Sequence, residues 1–313
     1  MQLTSNYIGR FAPSPSGSLH LGNIATFLVT WLDIRSSGGK LIFRMEDLDP
    51  DRSFEKFENC ITDDLKWLGL TWDYGWSFDN SCNYSQSNRT KLYEDVFSQL
   101  CNKGLIYPCY CTRSERLAAS AVHAGDSTRD TGCKCRYLCQ AERHALEATG
   151  RRPAWKIKVP DKDITFVDGH YGKTTENLAD EGDFIIKRSD GVFAYQLAVS
   201  FDDMEMGINR VVRGRDLLSS TARQIWLISE LGGTVPSYCH TPLIITEADR
   251  KMSKRYGDLS MEVMREKYTK EEITGLVSGL LTLSSGAPCS AEELINDFSW
   301  DKIPVENILY TKK

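Results

Sequence analysis

The stretch of sequence that decides the fold is RFAPSPSGSLHLGN, residues 10–23. A short apolar run leads into a turn rich in Pro, Ser and Gly, and the turn opens onto a segment with helical apolar periodicity, residues 19–36. This order predicts a buried strand over residues 7–12, a tight loop and the N-terminus of a helix. Unpaired N–H groups at helix N-termini bind phosphates in α/β proteins. The stretch therefore predicts a phosphate site at the start of the helix.

A second strand is predicted over residues 40–46, where Leu41, Phe43 and Met45 share one side. Together with the first strand and the helix it forms a βαβ unit, for which we expect a parallel sheet and a right-handed crossover. Glu46 lies at the carboxyl end of this strand. Ligands of open α/β sheets bind at that edge, so Glu46 is a candidate binding residue.

The rest of the chain is predicted to be an α/β body interrupted by a segment of different character. That segment follows two predicted helices, residues 54–68 and 92–100, and it holds clustered cysteines and a polar, aperiodic middle. Later strands are predicted over residues 154–159, 183–188, 208–212 and 243–245, a helix over 225–231, and mostly short helices over 260–310. We predict a Rossmann-type parallel sheet with halves at residues 1–104 and 191–256, an inserted subdomain at 105–190, and a short helical C-terminal region at 257–313.

The composition is that of an ordinary soluble globular protein. The chain has 313 residues, a formal net charge of −5 and no apolar run of about eighteen residues, so no transmembrane helix is predicted. Its first residues lack the basic and apolar regions of a secretory signal, and we expect a cytoplasmic protein, acting as a monomer. Because phosphate contacts need Lys and Arg, any RNA-binding surface on this acidic chain must be local.

The ten cysteines are many for a cytosolic chain, and five of them crowd into residues 109–139. Such clustering points to a metal site, because disulfide frameworks belong to short secreted chains. Cys109-Tyr110-Cys111 and Cys133-Lys134-Cys135 are two Cys-x-Cys pairs, which can close a tetrahedral Zn²⁺ site. The competing interpretation is that these cysteines bind no metal and lie in a flexible insert.

A lysine-rich run, KMSKR at residues 251–255, is the natural partner of the opening stretch. His20 and Asn23 share a face on the first turn of the predicted helix, where a triphosphate would fit. Lys251 and Lys254 follow the last predicted strand, and point charges on such a loop can neutralise a leaving pyrophosphate. Alone, each signal also fits a capping histidine or a solvated loop, but together they predict an ATP site.

Here a family resemblance becomes visible. His20-Leu21-Gly22-Asn23 together with residues 251–255 resembles the paired signatures of class I aminoacyl-tRNA synthetases. One departure is Asn23, since the superfamily usually has a second histidine there. The motifs similar to the glutamyl and glutaminyl branch are RFAPSPSG at 10–17, RMEDLD at 44–49, YQLA at 195–198 followed by Asp202-Asp203, and VRGRDLL at 212–218.

The C-terminal part of the chain narrows the resemblance further. About sixty residues follow Lys254, whereas full glutamyl-tRNA synthetases continue with a large helical domain that reads the anticodon. This shorter plan, with cysteines after Tyr107-Pro108, resembles the glutamyl-Q tRNA(Asp) synthetases. The resemblance implies activation of L-glutamate by ATP and its attachment to queuosine, the modified wobble base of tRNA(Asp), with no membrane partner and no anticodon-binding domain.

The same resemblance bears on the cysteines. Many members of the branch bind zinc with a Cys-x-Cys pair, then a Tyr, then a Cys followed by Arg. Cys135-Arg136 matches the last element, but Thr131 stands where the tyrosine is expected. We predict a structural Zn²⁺ on Cys109, Cys111, Cys133 and Cys135, with Tyr137 or Cys139 as alternatives to Cys133.

Roles for the remaining motif residues follow from the resemblance and from the chemistry of glutamate. A side-chain carboxylate needs a donor fork, which Arg supplies better than Lys, and an α-ammonium needs an anion such as Glu46. The alternative for Glu46 is a simple ion pair with Arg44 at the strand end. The resemblance implies a glutamate pocket of Arg10, Ala12, Ser14, Glu46, Tyr195 and Arg213, and an ATP site of His20, Asn23, Lys251 and Lys254 with Mg²⁺ on the phosphates; His20 and Lys254 are expected to act in catalysis.

Two other functions are alternatives to the transfer of glutamate to queuosine. One is a short glutamyl-tRNA synthetase that charges the 3′ end of tRNA(Glu), which the missing anticodon domain disfavours. The other is a non-catalytic glutamate- or tRNA-binding paralogue. Intact His20, Glu46, Arg213 and Lys254 disfavour it, since a sensor has no need of a loop that handles pyrophosphate.

Overall fold

The computed structural model describes residues 7–77, 82–112, 115, 133–246, 250–251 and 259–311. The strands in these ranges are β1 (Ile8–Phe11), β2 (Lys40–Phe43), β3 (Tyr74–Gly75), β4 (Ile106–Cys109), β5 (Ala154–Ile157), β6 (Asp163–Asp168), β7 (Gly172–Asn177), β8 (Phe184–Lys187), β9 (Arg210–Gly214), β10 (Ser237–Thr241), β11 (Ile244–Thr246), β12 (Arg250–Lys251) and β13 (Ile308–Leu309). The α-helices are α1 (Leu21–Ser36), α2 (Glu55–Trp67), α3 (Thr90–Asn102), α4 (Gln140–Glu147), α5 (Leu178–Glu181), α6 (Tyr195–Glu205), α7 (Thr221–Glu230), α8 (Met261–Lys267) and α9 (Lys270–Leu280).

The first half of the body is the predicted βαβ unit. Strands β1, β2 and β3 form a parallel sheet, and α1 connects the first two. Helix α1 packs closely on β1, since a Cβ added at Gly9 would stand 2.7 Å from the Ile34 side chain. Eleven of the sixteen residues of α1 are buried, so the helix lies within the main core and its N-terminus is held rigidly at the edge of the sheet. The predicted parallel α/β sheet is confirmed.

The second half is built on β9 and β10, which are parallel and pair Arg213 with His240 in register. Strand β6 joins β10 in parallel, and β7 completes the sheet in the order β7-β6-β10-β9. The two halves meet where β1 runs beside β9: Ile8 donates its backbone N–H to Asn209 Oδ1 at 2.8 Å, and Asn209 N–H donates to Ile8 O at 3.1 Å. This seam brings the carboxyl ends of β1 and β9 to one edge.

The cysteine-bearing segment lies on a small antiparallel sheet of its own, in the order β4-β5-β8. The strands predicted at residues 154–159 and 183–188 are β5 and β8. The β6–β7 hairpin was missed, and β6 pairs with β10 although it falls inside residues 105–190. The second half begins with an apolar run, residues 192–199, which leads into helix α6. This helix carries Asp202 and Asp203 on its buried side.

The C-terminal region consists of short helices, as predicted, and of one additional strand. Strand β13 pairs in parallel with β11, with Ile308 opposite Ile244. Trp300 donates its indole N–H to Asp33 at 2.6 Å, and Asp33 also accepts two hydrogen bonds from Arg210 at 2.8 and 2.9 Å. The C-terminal region is thereby fixed to both halves of the body. No helix of the described residues has the length and apolar character to span a membrane.

We predict that Asp33→Ala destabilises the fold by about 3–5 kcal/mol, because it leaves the buried Arg210 without its carboxylate. The measurement is urea denaturation, with tryptophan fluorescence as the signal for unfolding. The matched control is Lys270→Ala, which breaks the exposed Lys270–Glu271 pair and should change the unfolding free energy by less than about 1 kcal/mol. Equal effects of the two substitutions would contradict the prediction.

Candidate active site

A cavity of about 810 Å³ opens where β1, β2 and β9 reach their carboxyl ends. The N-terminus of α1 forms one side of it, and the loop after β1 forms another. Open α/β sheets bind their ligands at this edge. The cavity is therefore the candidate active site on geometric grounds.

The structure brings most of the predicted site residues together in this cavity. Lys254 lies outside the described residues, and of Lys251 only the backbone, in β12, is described. The two lysines therefore stay predictions. The predicted residues that line the cavity are Arg10, Ala12, Ser14, His20, Asn23, Glu46, Tyr195 and Arg213.

The floor of the cavity rests on a buried cluster of charges. Arg44 is fully buried and contacts Asp203 at 2.8 Å and Glu46 at 3.2 Å. Arg10 approaches the same Asp203 with its Nε at 3.2 Å and donates to the carbonyl of Val212 at 3.1 Å. An ion pair between Glu46 and Arg44 thus exists, but it belongs to a buried network that joins β1, β2 and α6.

The pKa values of this cluster show which charges are already compensated. Burial opposes ionisation of Asp203, yet the positive charges of Arg10 and Arg44 outweigh it, and the pKa of Asp203 lies below its ordinary value. Burial raises the pKa of Glu46, and the charges of Arg44 and Arg10 offset only part of that rise. Arg10 and Arg44 therefore face the carboxylates of Asp203 and Glu46 and, 3.7 Å from Arg44, that of Asp202, so their charges are compensated without a ligand.

Arg213 differs from the other two arginines because its partners include no carboxylate. It is buried at the end of β9, with 4% of its surface exposed, and among the described residues it forms no ion pair. A buried cation on a cavity wall that contacts no carboxylate directly favours a bound anion. The acceptors around its guanidinium are His240 Nε2 at 3.0 Å, Gln224 Oε1 at 2.6 Å, Thr221 Oγ1 at 2.9 Å and the Leu217 carbonyl at 3.3 Å.

Tyr195 is the first residue of α6 and places a hydroxyl on the cavity wall. Burial, together with the nearby negative charge of Glu46, raises the pKa of Tyr195 above its ordinary value. The phenol is therefore neutral at physiological pH and can donate a hydrogen bond. Ala12 and Ser14, on the loop after β1, complete this side of the cavity.

The N-terminus of α1 faces the cavity with His20 and Asn23. The His20 backbone N–H donates to Asn23 Oδ1 at 3.1 Å, so the carboxamide oxygen is used inside the helix cap. The Asn23 NH₂ group is then the donor that this side chain can offer to a ligand. Gly22 lets the imidazole lie close over the first turn, since a Cβ there would stand 3.2 Å from His20 Cε1. The helix dipole adds a partial positive charge at the same place.

The two Cys-x-Cys pairs converge at the end of β4. The four sulfur atoms of Cys109, Cys111, Cys133 and Cys135 all lie within 4.8 Å of one another. Tetrahedral zinc with Zn–S bonds of about 2.3 Å places its sulfur ligands about 3.8 Å apart. The Cys109–Cys133 and Cys111–Cys135 distances, 3.5 and 3.6 Å, are near this spacing, so the four thiols fit a zinc ion.

The electrostatics of the cluster also suit a cation. Hydrogen bonding from Cys109, opposed by burial but aided by Tyr107 and Lys156, lowers the pKa of Cys133 to about 5. A lowered pKa favours the thiolate of Cys133, which is the form of cysteine that binds a metal ion. Neither alternative ligand belongs to the group: Tyr137 is 71% exposed, and Cys139 is an exposed residue that caps α4.

Comparison with known proteins now decides the family. Residues 8–307 match the family of class I tRNA synthetases for E and Q, catalytic domain. A glutamyl-Q tRNA(Asp) synthetase of Symbiobacterium thermophilum is 42% identical over 311 residues, which are 96% of this chain and 94% of the relative. The chain belongs to the glutamyl-Q tRNA(Asp) synthetase family of class I synthetases.

Larger relatives match this chain along about two thirds of their own length. Glutamate–tRNA ligase 2 of Syntrophus aciditrophicus is 43% identical over 298 residues, which are 94% of this chain and 61% of that protein. A crystal structure of a glutamate tRNA ligase from Elizabethkingia meningosepticum, in complex with its amino acid, superposes with a TM-score of 0.83 at 27% identity; it covers 98% of this chain and 67% of that one. The matched part of the glutamyl-Q synthetase is thus nearly its whole length, and that of the ligases about two thirds.

Sequence reasoning missed the residues that support the predicted ones. His240 and Asp168 are fully or almost fully buried, lie on β10 and β6, and connect to the site through Arg213. Strand β10 was itself not predicted, so nothing placed His240 beside Arg213. Asp203 was noticed as part of a motif, but its contact with Arg10 spans 193 residues of sequence and has no local signal.

We predict that Asp203→Asn destabilises the fold at neutral pH by about 3–5 kcal/mol, because it removes the carboxylate that Arg10 and Arg44 share. The folded-state pKa of Asp203 is lowered, so its stabilisation is complete above the unfolded value of about 3.9 and is lost as the pH falls through the folded value. The difference between wild type and variant should therefore shrink below about pH 4.

The measurement is the urea midpoint of both proteins between neutral and acidic pH. The matched control is Asp51→Asn, in the exposed loop after β2, which should change stability by less than about 0.5 kcal/mol. A stability difference for Asp203→Asn that is independent of pH would show that charge compensation is not its cause.

Proposed function

We propose that this chain activates L-glutamate with ATP and transfers the glutamyl group to the queuosine base of tRNA(Asp). The observation that carries the proposal is Arg213, which contacts no carboxylate of the described residues and is buried in a cavity that also presents Glu46 and the N-terminus of α1. These features match the side-chain carboxylate, the α-ammonium and the nucleotide phosphates respectively. The name of the Symbiobacterium thermophilum relative states the same acceptor, tRNA(Asp).

In this proposal the glutamate pocket is Arg10, Ala12, Ser14, Glu46, Tyr195 and Arg213. Arg213 binds the side-chain carboxylate with its positive charge and with the Nη1 N–H that its protein partners leave unused. Glu46 holds the α-ammonium, and the neutral Tyr195 hydroxyl donates to the substrate. Arg10, although paired with Asp203, retains N–H groups on the cavity side for a second oxygen.

ATP occupies the other end of the cavity in this proposal. The first turn of α1, with His20 and Asn23, binds its phosphates through N–H donors and the helix dipole. Lys251 and Lys254 are proposed to approach the phosphates from the segment after β11, and Mg²⁺ accompanies the nucleotide. His20 and Lys254 are the residues to which we assign stabilisation of the transition state.

The first reaction is an in-line attack of the glutamate α-carboxylate on the α-phosphorus of ATP. The bond between the α-phosphorus and the bridging oxygen breaks, and pyrophosphate leaves. Glutamyl-adenylate remains in the cavity. Positioning and charge neutralisation supply the rate enhancement, so no side chain forms a covalent intermediate. In the second reaction a hydroxyl of the modified base attacks the activated carbonyl, and AMP leaves.

The acceptor distinguishes this proposal from its two competitors, a short synthetase for tRNA(Glu) and a non-catalytic binding protein. The test uses ATP, labelled glutamate and tRNA(Asp) with or without queuosine. We expect label only on the queuosine-containing tRNA, and we expect it to persist when the 3′-terminal adenosine has been removed. Labelling of tRNA(Glu) that disappears with the terminal adenosine would support the synthetase for tRNA(Glu).

The control for this test is Arg213→Gln, which removes the cation and should reduce glutamate-dependent ATP–pyrophosphate exchange at least about a hundredfold. Exchange is measured with and without total tRNA. Absence of exchange in the wild type under both conditions would favour the non-catalytic protein.

We further propose that residues 105–190 are inserted between the halves 1–104 and 191–256, with β6 and β7 of the insert joining the sheet of the second half, and that the four thiols hold a structural Zn²⁺. Asp183 ties the cluster to the small sheet, since its carboxylate accepts from Arg136 at 2.8 Å, Tyr107 at 2.9 Å and Val159 N–H at 2.9 Å. The zinc would cross-link two segments that are distant in sequence and hold them against the RNA.

We predict about one zinc per chain by elemental analysis of the purified protein, and loss of that zinc in Cys111→Ser. Cys139→Ser is the matched control, because Cys139 is outside the group, and it should retain the metal. If Cys139→Ser lost the zinc and Cys133→Ser retained it, Cys133 would be wrong as a ligand and Cys139 would take its place.

A further inference from the structure

A buried Asp–His pair lies directly behind the arginine of the proposed glutamate pocket. His240 and Asp168 are 0% and 1% exposed, and the His240 Nδ1–Asp168 Oδ2 distance is 2.6 Å. His240 stands opposite Arg213 in the register of β9 and β10, and its Nε2 lies 3.0 Å from Arg213 Nε. Neither member of the pair lines the cavity. Their hydrogen bonds connect them to the cavity through Arg213.

The hydrogen bonds fix the tautomer of His240. Arg213 Nε–H can only donate, so His240 Nε2 must accept and therefore carries no proton. The proton of the neutral ring is then on Nδ1, where the Asp168 carboxylate accepts it. Burial lowers the pKa of His240, the charge of Arg213 lowers it further, and the hydrogen bond to Asp168 offsets part of the effect. The ring is neutral at physiological pH.

Asp168 is itself held in place by the backbone. Its Oδ1 accepts from the N–H groups of His170 at 3.0 Å and Tyr171 at 2.9 Å. Burial opposes its ionisation, but the interactions with His240 and these N–H groups lower its pKa below the ordinary value. A fixed carboxylate thus orients the imidazole, and the imidazole presents one acceptor to Arg213.

This acceptor matters because Arg213 has no carboxylate to orient it. Its Nε–H bonds His240, Nη1 donates to Gln224, and Nη2 donates to both Thr221 and the Leu217 carbonyl. Each terminal nitrogen carries two N–H groups, so one N–H on Nη1 remains for a ligand. The neutral acceptors fix the plane of the guanidinium without cancelling its charge, which an aspartate in place of His240 would do.

We propose that Asp168 and His240 are positioning residues that aim Arg213 at the side-chain carboxylate of the substrate and so set the preference for glutamate over glutamine. The proposal rests on the proposed function, since it assigns Arg213 to the glutamate side chain. The competing interpretation is that the pair only stabilises the packing of β10 against β6.

The test compares His240→Leu with His240→Gln in glutamate-dependent ATP–pyrophosphate exchange. Leu removes the acceptor, whereas the Gln carboxamide can place an oxygen near the position of Nε2. In His240→Leu we expect the KM for glutamate to rise about tenfold or more, with the KM for ATP unchanged. The inhibition constant of glutamine should change much less, because a carboxamide gains less from an aligned cation. His240→Gln should recover most of the loss.

Asp168→Asn is the second variant and guards against a folding defect in His240→Leu. The carboxamide can present its NH₂ group to Nδ1 and so favour the other tautomer, which turns an N–H toward Arg213. We expect the KM for glutamate to rise in Asp168→Asn. The melting temperature of the variant is measured in parallel, so that a folding defect is detected. The matched control is His144→Leu, on the exposed side of α4, which should leave both KM values unchanged.

The outcomes separate the two proposals. An active wild type whose variants raise both KM values and the glutamine inhibition constant by the same factor would overturn the positioning role and leave the proposed function intact. A wild type without glutamate-dependent exchange would overturn both. A selective rise in the KM for glutamate, reversed by Gln, supports the inference.

Discussion

The carboxylate of Asp203, shared between Arg10 and Arg44, is the interaction on which the site depends. It joins a residue of β1, a residue that follows β2 and a residue of α6, three elements that are far apart in sequence. A buried arginine needs such a partner, because an unpaired charge in the interior is strongly destabilising. With Arg10 and Arg44 bound to Asp203, Arg213 is the arginine of the described cavity wall that contacts no carboxylate. The internal pairing therefore leaves Arg213 the most available of these three arginines for an anionic ligand.

Much of this architecture could be predicted from local sequence. The opening stretch shows a strand, a turn and a helix start, and the βαβ unit follows from apolar spacing that tertiary contacts reinforce. The site residues of the loops after β1 and β2 sit at strand ends, where binding residues are expected. Short motifs therefore placed eight residues that the structure finds in one cavity.

The missing parts are those with no local pattern. Strand β10 lies between β6 and β9, and four of its five residues are buried. Residues on both of its faces are therefore buried, and its sequence of polar and cysteine residues lacks a two-residue alternation. Strand β13 has two residues and exists only because β11 offers it an edge. His240 could not be linked to Arg213 before both strands and their register were known. Pairings of this kind are set by the assembled sheet.

The buried charge of Arg213 also links ligand binding to the stability of the fold. Without a ligand, the Arg213 guanidinium is desolvated and hydrogen-bonded to neutral acceptors, and desolvation of a charge costs free energy of folding. An anion that contacts Arg213 in the cavity adds a favourable interaction, so its binding energy adds to the stability of the folded state. The unliganded chain is therefore less stable than the liganded one, and ligand binding and folding are thermodynamically coupled.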